Sequence, residues 1–175
     1  MEMILFRKGV AHSVLFDDED EALIRRYKWC LTDQLRVKSV AKKGEKSILM
    51  HRLILGISDR TIQIDHKKGN PLNNYRSNLR VCTTRQNACN RQKLNANAKS
   101  KYKGVIIKSY KNKSDGKIFG PYIAAAIRLP DGKKKHLGRF KTEEQAAHAY
   151  DAAARIYHNE FATYNFPGQG ERSAI

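Results

Sequence analysis

Asp65 and His66 stand side by side in this chain, and two asparagines follow at set distances, Asn78 twelve residues after His66 and Asn87 twenty-one after it. The residues between them constrain the fold more than any other stretch. Gln63-Ile64-Asp65-His66 reads as a strand end, and Leu79-Arg80-Val81-Cys82 reads as a strand returning beside it. Between the two, Gly69-Asn70-Pro71 and Asn73-Asn74 supply loop residues that tolerate unusual dihedrals. Thr83 with Gln86 three residues on is a capping-box pattern, so a helix is expected to start there. It would carry Asn87 and Asn90-Arg91 on one face. Strand, loop, strand, helix is a ββα order that is expected to bring Asn87 back over Asp65.

That combination has a definite chemistry. A carboxylate beside an imidazole, with a carboxamide returning from a later element, suits phosphodiester hydrolysis with a single metal ion. Oxygen donors from Asp65 and Asn87 favour a hard divalent cation, Mg²⁺ first and Mn²⁺ as the alternative, with water and the scissile phosphate completing its shell. Such an ion stabilises developing charge on the phosphoryl group and on the leaving 3′ oxygen. His66, of ordinary pKa ~6.5, is the side chain suited to deprotonate a water at neutral pH. Asn90 as a further metal or phosphate group is explained equally well as a solvated helix residue, and His51 reads as structural.

The stretch resembles the ββα-metal motif of HNH endonucleases, particularly the phage and intron-encoded homing type. The resemblance implies the same roles for Asp65, His66 and Asn87, and it implies that Asn78 is structural, pinning the loop that aims His66. It begins before the motif, because Asp17 to Asp20, Lys28-Trp29 and His51-Arg52-Leu53-Ile54 match the N-terminal part of many such enzymes.

Charge agrees with an anionic partner. The 175 residues carry a formal net charge of +17, and the sequence pI is about 9.9. Between Lys46 and Thr142 the acidic residues are Asp59, Asp65, Asp115 and Asp131 alone. Lys67, Lys68, Arg76, Arg80, Arg85 and Arg91 surround the motif and are expected to neutralise phosphates of double-stranded DNA. Three cysteines without a CxxC pair argue against a disulfide framework or zinc knuckle and fit a reducing cytoplasm, which the resemblance to phage-type enzymes implies is that of a bacterial host. No apolar run reaches the roughly 18–20 residues needed to span a membrane, so no membrane partner is expected.

The first 50 residues read as a β-rich module. Met3 to Phe6 and His12 to Phe16 are candidate strands around Lys8-Gly9, and Leu35 to Val40 and Ser47 to His51 are further strands around Lys43-Gly44. The acidic run Asp17 to Glu21 leads into a helix over Ala22 to Trp29, with Trp29 as core anchor. Asn95 to Lys101 is polar and small and reads as a linker, and Gly168 to Ile175 as a frayed tail.

Residues 102–167 carry strand-like runs separated by turns at Ser114-Asp115-Gly116 and Pro130-Asp131-Gly132. A helix starting at Thr142 follows, with Ala146, Ala149, Tyr150, Ala153, Ile156 and Tyr157 at helical spacing. Tyr102-Lys103-Gly104-Val105, His136-Leu137-Gly138-Arg139-Phe140, Ala149-Tyr150-Asp151-Ala152-Ala153 and Asn165-Phe166-Pro167 come in the order of the plant APETALA2/ethylene-response-factor DNA-binding domain, which the module resembles. Ile123 and His136 stand where that domain usually has tryptophan, and Ile106 where an arginine commonly reads bases, so its base preference is not carried over. The sheet face bearing Lys103, Lys108, Arg128, Lys133, Lys135 and Arg139 is expected to enter a major groove.

The expectation is an α+β chain: an HNH nuclease domain over 1–94, with its β-rich part at 1–50 and its ββα-metal motif at about 62–92, a linker at 95–101, an APETALA2-like domain over 102–167 with a three-stranded antiparallel sheet packed on one helix, and a tail at 168–175. The activity expected is site-specific, metal-dependent DNA cleavage of the homing type, nicking one strand as a monomer, with dimerisation left open. A non-catalytic DNA-binding regulator is the alternative.

Overall fold

The computed structural model describes residues 1–42, 44–90 and 98–174. The chain forms two compact units, Met1–Thr84 and Arg85–Ile175. The division falls ahead of the stretch 95–101 expected as the connection, of which residues 95–97 lie outside the described residues.

The first unit opens with a hairpin. Strands β1 (Glu2–Arg7) and β2 (Val10–Leu15) pair antiparallel, and Arg7 faces Val10 across a two-residue turn. Lys8 and Gly9 in that turn have φ of 48° and 78°, the pair of positive values that a type I′ hairpin turn demands. The acidic run then forms a 3₁₀ turn at Asp18–Asp20 and a short helix α1 (Glu21–Ile24). The helix expected to reach Trp29 therefore stops at Ile24. Trp29 instead begins β3 (Trp29–Leu31), which pairs with β4 (Val37–Ser39), and its indole Nε1 donates to the Ile24 carbonyl at 2.9 Å. The tryptophan thus adds a second donor to the carbonyl where α1 ends, which also accepts from Tyr27 N at 3.1 Å.

The strand expected over Ser47 to His51 is reduced to a bridge between Lys38 and Leu49, and the turn expected at Lys43-Gly44 lies partly outside the described residues. Helix α2 (Met50–Ile54) takes over because Met50, His51 and Ile54 project to one side and are all buried there. Val14, Phe16, Ile24, Trp29, Leu31, Val37, Met50, Ile54 and Leu79 make one apolar cluster. Against it lies the hairpin of β5 (Gln63–His66) and β6 (Leu79–Cys82), in which Asp65 faces Arg80 and His66 faces Leu79. The loop joining these strands hooks onto the end of β2. Leu15 N donates to Leu72 O at 2.9 Å and Asn74 N donates to Leu15 O at 2.8 Å.

Helix α3 (Thr84–Cys89) follows β6 directly, starting one residue after Thr83. Asn90, expected on a solvated helix surface, is 3% exposed, and its carbonyl accepts from Arg172 Nη1 at 2.9 Å.

The second unit contains β7 (Val105–Lys111), β8 (Ile118–Arg128) and β9 (Lys134–Phe140) as one antiparallel sheet in that order. Helix α4 (Glu143–Tyr157) packs on it. Thr142 Oγ1 caps α4 by accepting from Gln145 N at 3.2 Å, and Gln145 Oε1 accepts from Lys141 N at 3.2 Å. Buried on α4 are Ala146, Ala147, Tyr150, Asp151, Ala153 and Ala154, so the inward face is rotated from the expected one and Ile156 is left 70% exposed. Close approach is enforced at Gly104, where φ is +77° and a Cβ would lie 1.9 Å from the Tyr150 ring. The Asp151 carboxylate, 1% exposed, is satisfied by three N–H donors: Asn165 N at 2.9 Å, Asn165 Nδ2 at 3.0 Å and Phe166 N at 2.8 Å.

The tail is not frayed. Arg155 and Glu171 pair at 2.7 Å, Tyr164 bridges Ser173, and Ala174 is fully buried. Local composition misled because these contacts are made with α4 and residues near it, not within the tail.

Candidate active site

Asp65 and His66 are neighbours at the end of β5, so the strand alternation turns them to opposite faces of the hairpin. Asp65 is 7% exposed and lies opposite Arg80 in register. Arg80 Nε and Nη2 both donate to Asp65 Oδ2, at 3.0 and 2.7 Å, and each side chain is about 8% exposed. Arg80 was expected to meet phosphate. The structure instead shows it occupied with a buried carboxylate, because the β5–β6 register places the two across from each other.

The His66 ring points toward the loop. Its Nε2 lies 3.3 Å from Asn74 Oδ1, and its ring centroid is 5.1 Å from that of His51 in an edge-to-face arrangement. Burial pushes the His66 pKa below its ordinary value, and it outweighs the Asn74 hydrogen bond and the nearby Asp65 charge, which act upward. The buried His51 is pushed down to about 3, first by desolvation and then by His66, Arg36 and Arg52. Both imidazoles are therefore neutral at physiological pH, which leaves His66 a basic lone pair.

Asn78, 4% exposed, braces the intervening loop. Its Oδ1 accepts from Lys68 N at 2.9 Å and its Nδ2 donates to Asn73 O at 2.7 Å, while Lys67 N donates to the Asn78 carbonyl at 2.8 Å. The first unit thus brings together Asp65, His66 and Asn78. Asn87 stands half-buried on α3 in the second unit. Sequence reasoning passed over Asn74 as a turn residue. Nothing local marks it, since its role follows from where β2 holds the loop.

The basic residues sort into two groups. Lys68 and Lys108 are exposed, and Lys67 is exposed with its ammonium donating to Ser77 O at 2.9 Å. Arg128 donates to Gly132 O and Arg85 to Pro130 O, both at 2.9 Å, while remaining at the surface. Lys133 is exposed near Asp131, with Nζ 3.8 Å from its Oδ2. Arg139 is exposed and stacks over the Tyr122 ring at 4.5 Å. Arg91 lies outside the described residues.

Others depart from expectation. Arg76 is engaged by the acidic run, through Asp20 at 2.6 Å, Glu19 at 2.8 Å and its backbone N to Asp17 at 2.6 Å. Lys103 is half-buried, with Nζ donating to Cys89 O and Thr163 Oγ1, each at 2.6 Å, and burial pulls its pKa down to about 8. Lys135 faces α4, its ammonium donating to Tyr157 Oη at 2.6 Å. The register explains this, because Lys135 pairs with Ile127, which packs under α4, whereas Lys134 pairs with Arg128 on the outer face. Lys134 is the outer-face lysine the sequence reading missed.

The first unit thus carries a half-buried imidazole next to a buried carboxylate on one hairpin, with buried Asn74 and Asn78 in its connecting loop and helix α3 directly after it in the chain. A family model described as HNH endonuclease matches residues 48–89, the segment holding Asp65, His66, Asn74, Asn78 and Asn87. A relative described as an uncharacterized HNH endonuclease, from Acanthamoeba polyphaga mimivirus, is 31% identical over 145 residues, covering 82% of this chain and 69% of the relative. The chain belongs to the HNH endonuclease family. No solved structure matches it.

Proposed function

We propose that this protein is a metal-dependent DNA endonuclease of the homing type that nicks one strand of a duplex as a monomer. The observation that carries the reading is the half-buried His66 next to the buried Asp65 within the segment matched by the HNH family. His66 takes the proton from an attacking water, the new P–O bond forms, and the bond to the 3′ oxygen breaks. Among the described residues no group of three or more His, Cys, Asp or Glu could hold a metal. This donor set suits Mg²⁺ or Mn²⁺, which keep waters and bind through one or two protein oxygens and substrate phosphate. Asp65 would hold it, and the spacing in the sequence assigns the Asn87 carboxamide as its second protein oxygen. When bound, the ion supplies charge stabilisation at the phosphoryl group and leaving oxygen.

Recognition is assigned to the second unit. The APETALA2-like reading of residues 102–167 is supported by the three-stranded sheet with α4 on one side and by the basic residues on the other. Lys108, Arg128, Lys134 and Arg139 share that outer face by register, and Lys67, Lys68, Arg85 and Lys133 are further accessible cations for phosphate.

Supercoiled plasmid carrying a library of candidate sites, incubated with Mg²⁺ or Mn²⁺, tests the reading. Nicked circles that vanish with EDTA and with His66→Ala are expected. Tight duplex binding without cleavage in any divalent metal would overturn it in favour of a DNA-binding regulator.

A further inference from the structure

We propose that Asn74 is a positioning residue that holds the proton of His66 on Nε2, so that the ring presents its lone pair at Nδ1. The inference rests on the reading of His66 as the base. Asn74 is 1% exposed and all its polar atoms are directed. Its Nδ2 faces the carbonyls of Leu72 at 3.3 Å and Pro71 at 3.5 Å, and only an amino group can donate to two carbonyls. That fixes which way the carboxamide points. Its oxygen is therefore the atom 3.3 Å from His66 Nε2. A carboxamide oxygen has no proton to give, so the contact is a hydrogen bond only when Nε2 carries one. A neutral imidazole carries a single N–H, and the lone pair falls to Nδ1.

The placement is built from afar. Asn74 N donates to Leu15 O and Leu15 N donates to Leu72 O, so strand β2, fifty residues and more upstream, sets the position of the carboxamide. The His51 ring packs edge to face with His66, with ring centroids 5.1 Å apart. Asn78 fastens the same loop through Lys68 N and through the carbonyl of Asn73, the residue just before Asn74, whereas it is the Asn74 oxygen that meets the His66 ring.

The test uses the full chain. Nitrogen-15 NMR of the His66 ring, at a pH where the ring is neutral, reads the tautomer directly. The wild type is expected to show a protonated Nε2 and an unprotonated Nδ1. Asn74→Leu, close to asparagine in shape but without the acceptor, is expected to give a tautomer mixture. Its kcat on plasmid should fall about 10–100-fold with KM for DNA unchanged. Asn74→Asp keeps an acceptor and should restore the Nε2–H signal. A wild-type ring protonated at Nδ1 would overturn the proposal, as would an Asn74→Leu protein whose tautomer is unchanged. The NMR readout needs no cleavage. An inactive protein with the expected tautomers would therefore refute the nuclease reading while leaving the role of Asn74 standing.

Discussion

Arg80 holds Asp65 through two nitrogens on one carboxylate oxygen, and both side chains are almost wholly shielded from water. Removing one partner of such a pair leaves a buried charge uncompensated, at a cost of about 3–5 kcal/mol. Arg80→Gln is therefore expected to lower stability by that order in urea unfolding with EDTA. If Asp65 holds a divalent cation, Mg²⁺ or Mn²⁺ should restore more stability to the variant than to the wild type, because ligand binding to the folded state adds to its stability. Equal shifts in both would argue against Asp65 as a ligand.

Lys103 gives a prediction about pH. Its folded pKa of about 8 lies below the ordinary 10.5, and burial is the main cause. Between those values the unfolded chain holds the proton that the folded chain has released, so the unfolded state binds more protons and stability rises with pH. Lys103→Met leaves the Cys89 carbonyl and Thr163 hydroxyl without this donor and should cost about 1–3 kcal/mol. The deficit relative to wild type is expected to widen from about pH 8 toward 10.5 in denaturant titrations. A pH-independent deficit would contradict the shift.

Neighbouring lysines on β9 should behave differently. Lys134 shares the outer sheet face with Arg128, whereas Lys135 is turned toward Tyr157. Lys134→Ala and Arg139→Ala are each expected to weaken duplex binding and reduce the salt dependence by roughly one counterion. Lys135→Ala should leave that dependence unchanged. Binding measured across a salt series separates them.

The last residues should matter to folding. Deleting residues 168–175 removes buried Ala174 and the Glu171 partner of Arg155, so a clear drop in melting temperature is expected where a frayed tail would give none. The Arg155 hydrogen bond, with help from Gly168 N, holds the Glu171 carboxyl below its ordinary range. A depressed folded pKa stabilises above the unfolded value and loses that contribution as pH falls through the folded one. The gap between wild type and Glu171→Gln should accordingly close as pH drops below the usual glutamate range.

Elements with strong local signals were legible in the sequence. The Lys8-Gly9 hairpin, the β5–β6 pair and the helix begun by Thr142 all form where residue pattern and turn chemistry placed them. Elements lacking such signals were not. The chain over Ser47 to His51 has β-compatible residues, yet α2 forms because Met50, His51 and Ile54 are swallowed by the first core. Trp29 reads as the end of a helix until pairing with Ser39 makes it the start of a strand. Within the site, Asp65, His66 and Asn78 were marked by spacing, and Asn74 was not.

Sequence alone determined the family segment, the adjacent acid and imidazole, the strand–loop–strand–helix order and the excess of positive charge, because these depend on residue identity and short spacings. Tertiary structure decided which charges are available and which are already taken. Arg76 is engaged by Asp20, Arg80 by Asp65 and Lys103 by Cys89 and Thr163. Each of these partners is brought in by strand register or chain return across 14 to 60 residues, distances over which no local pattern in a sequence carries information.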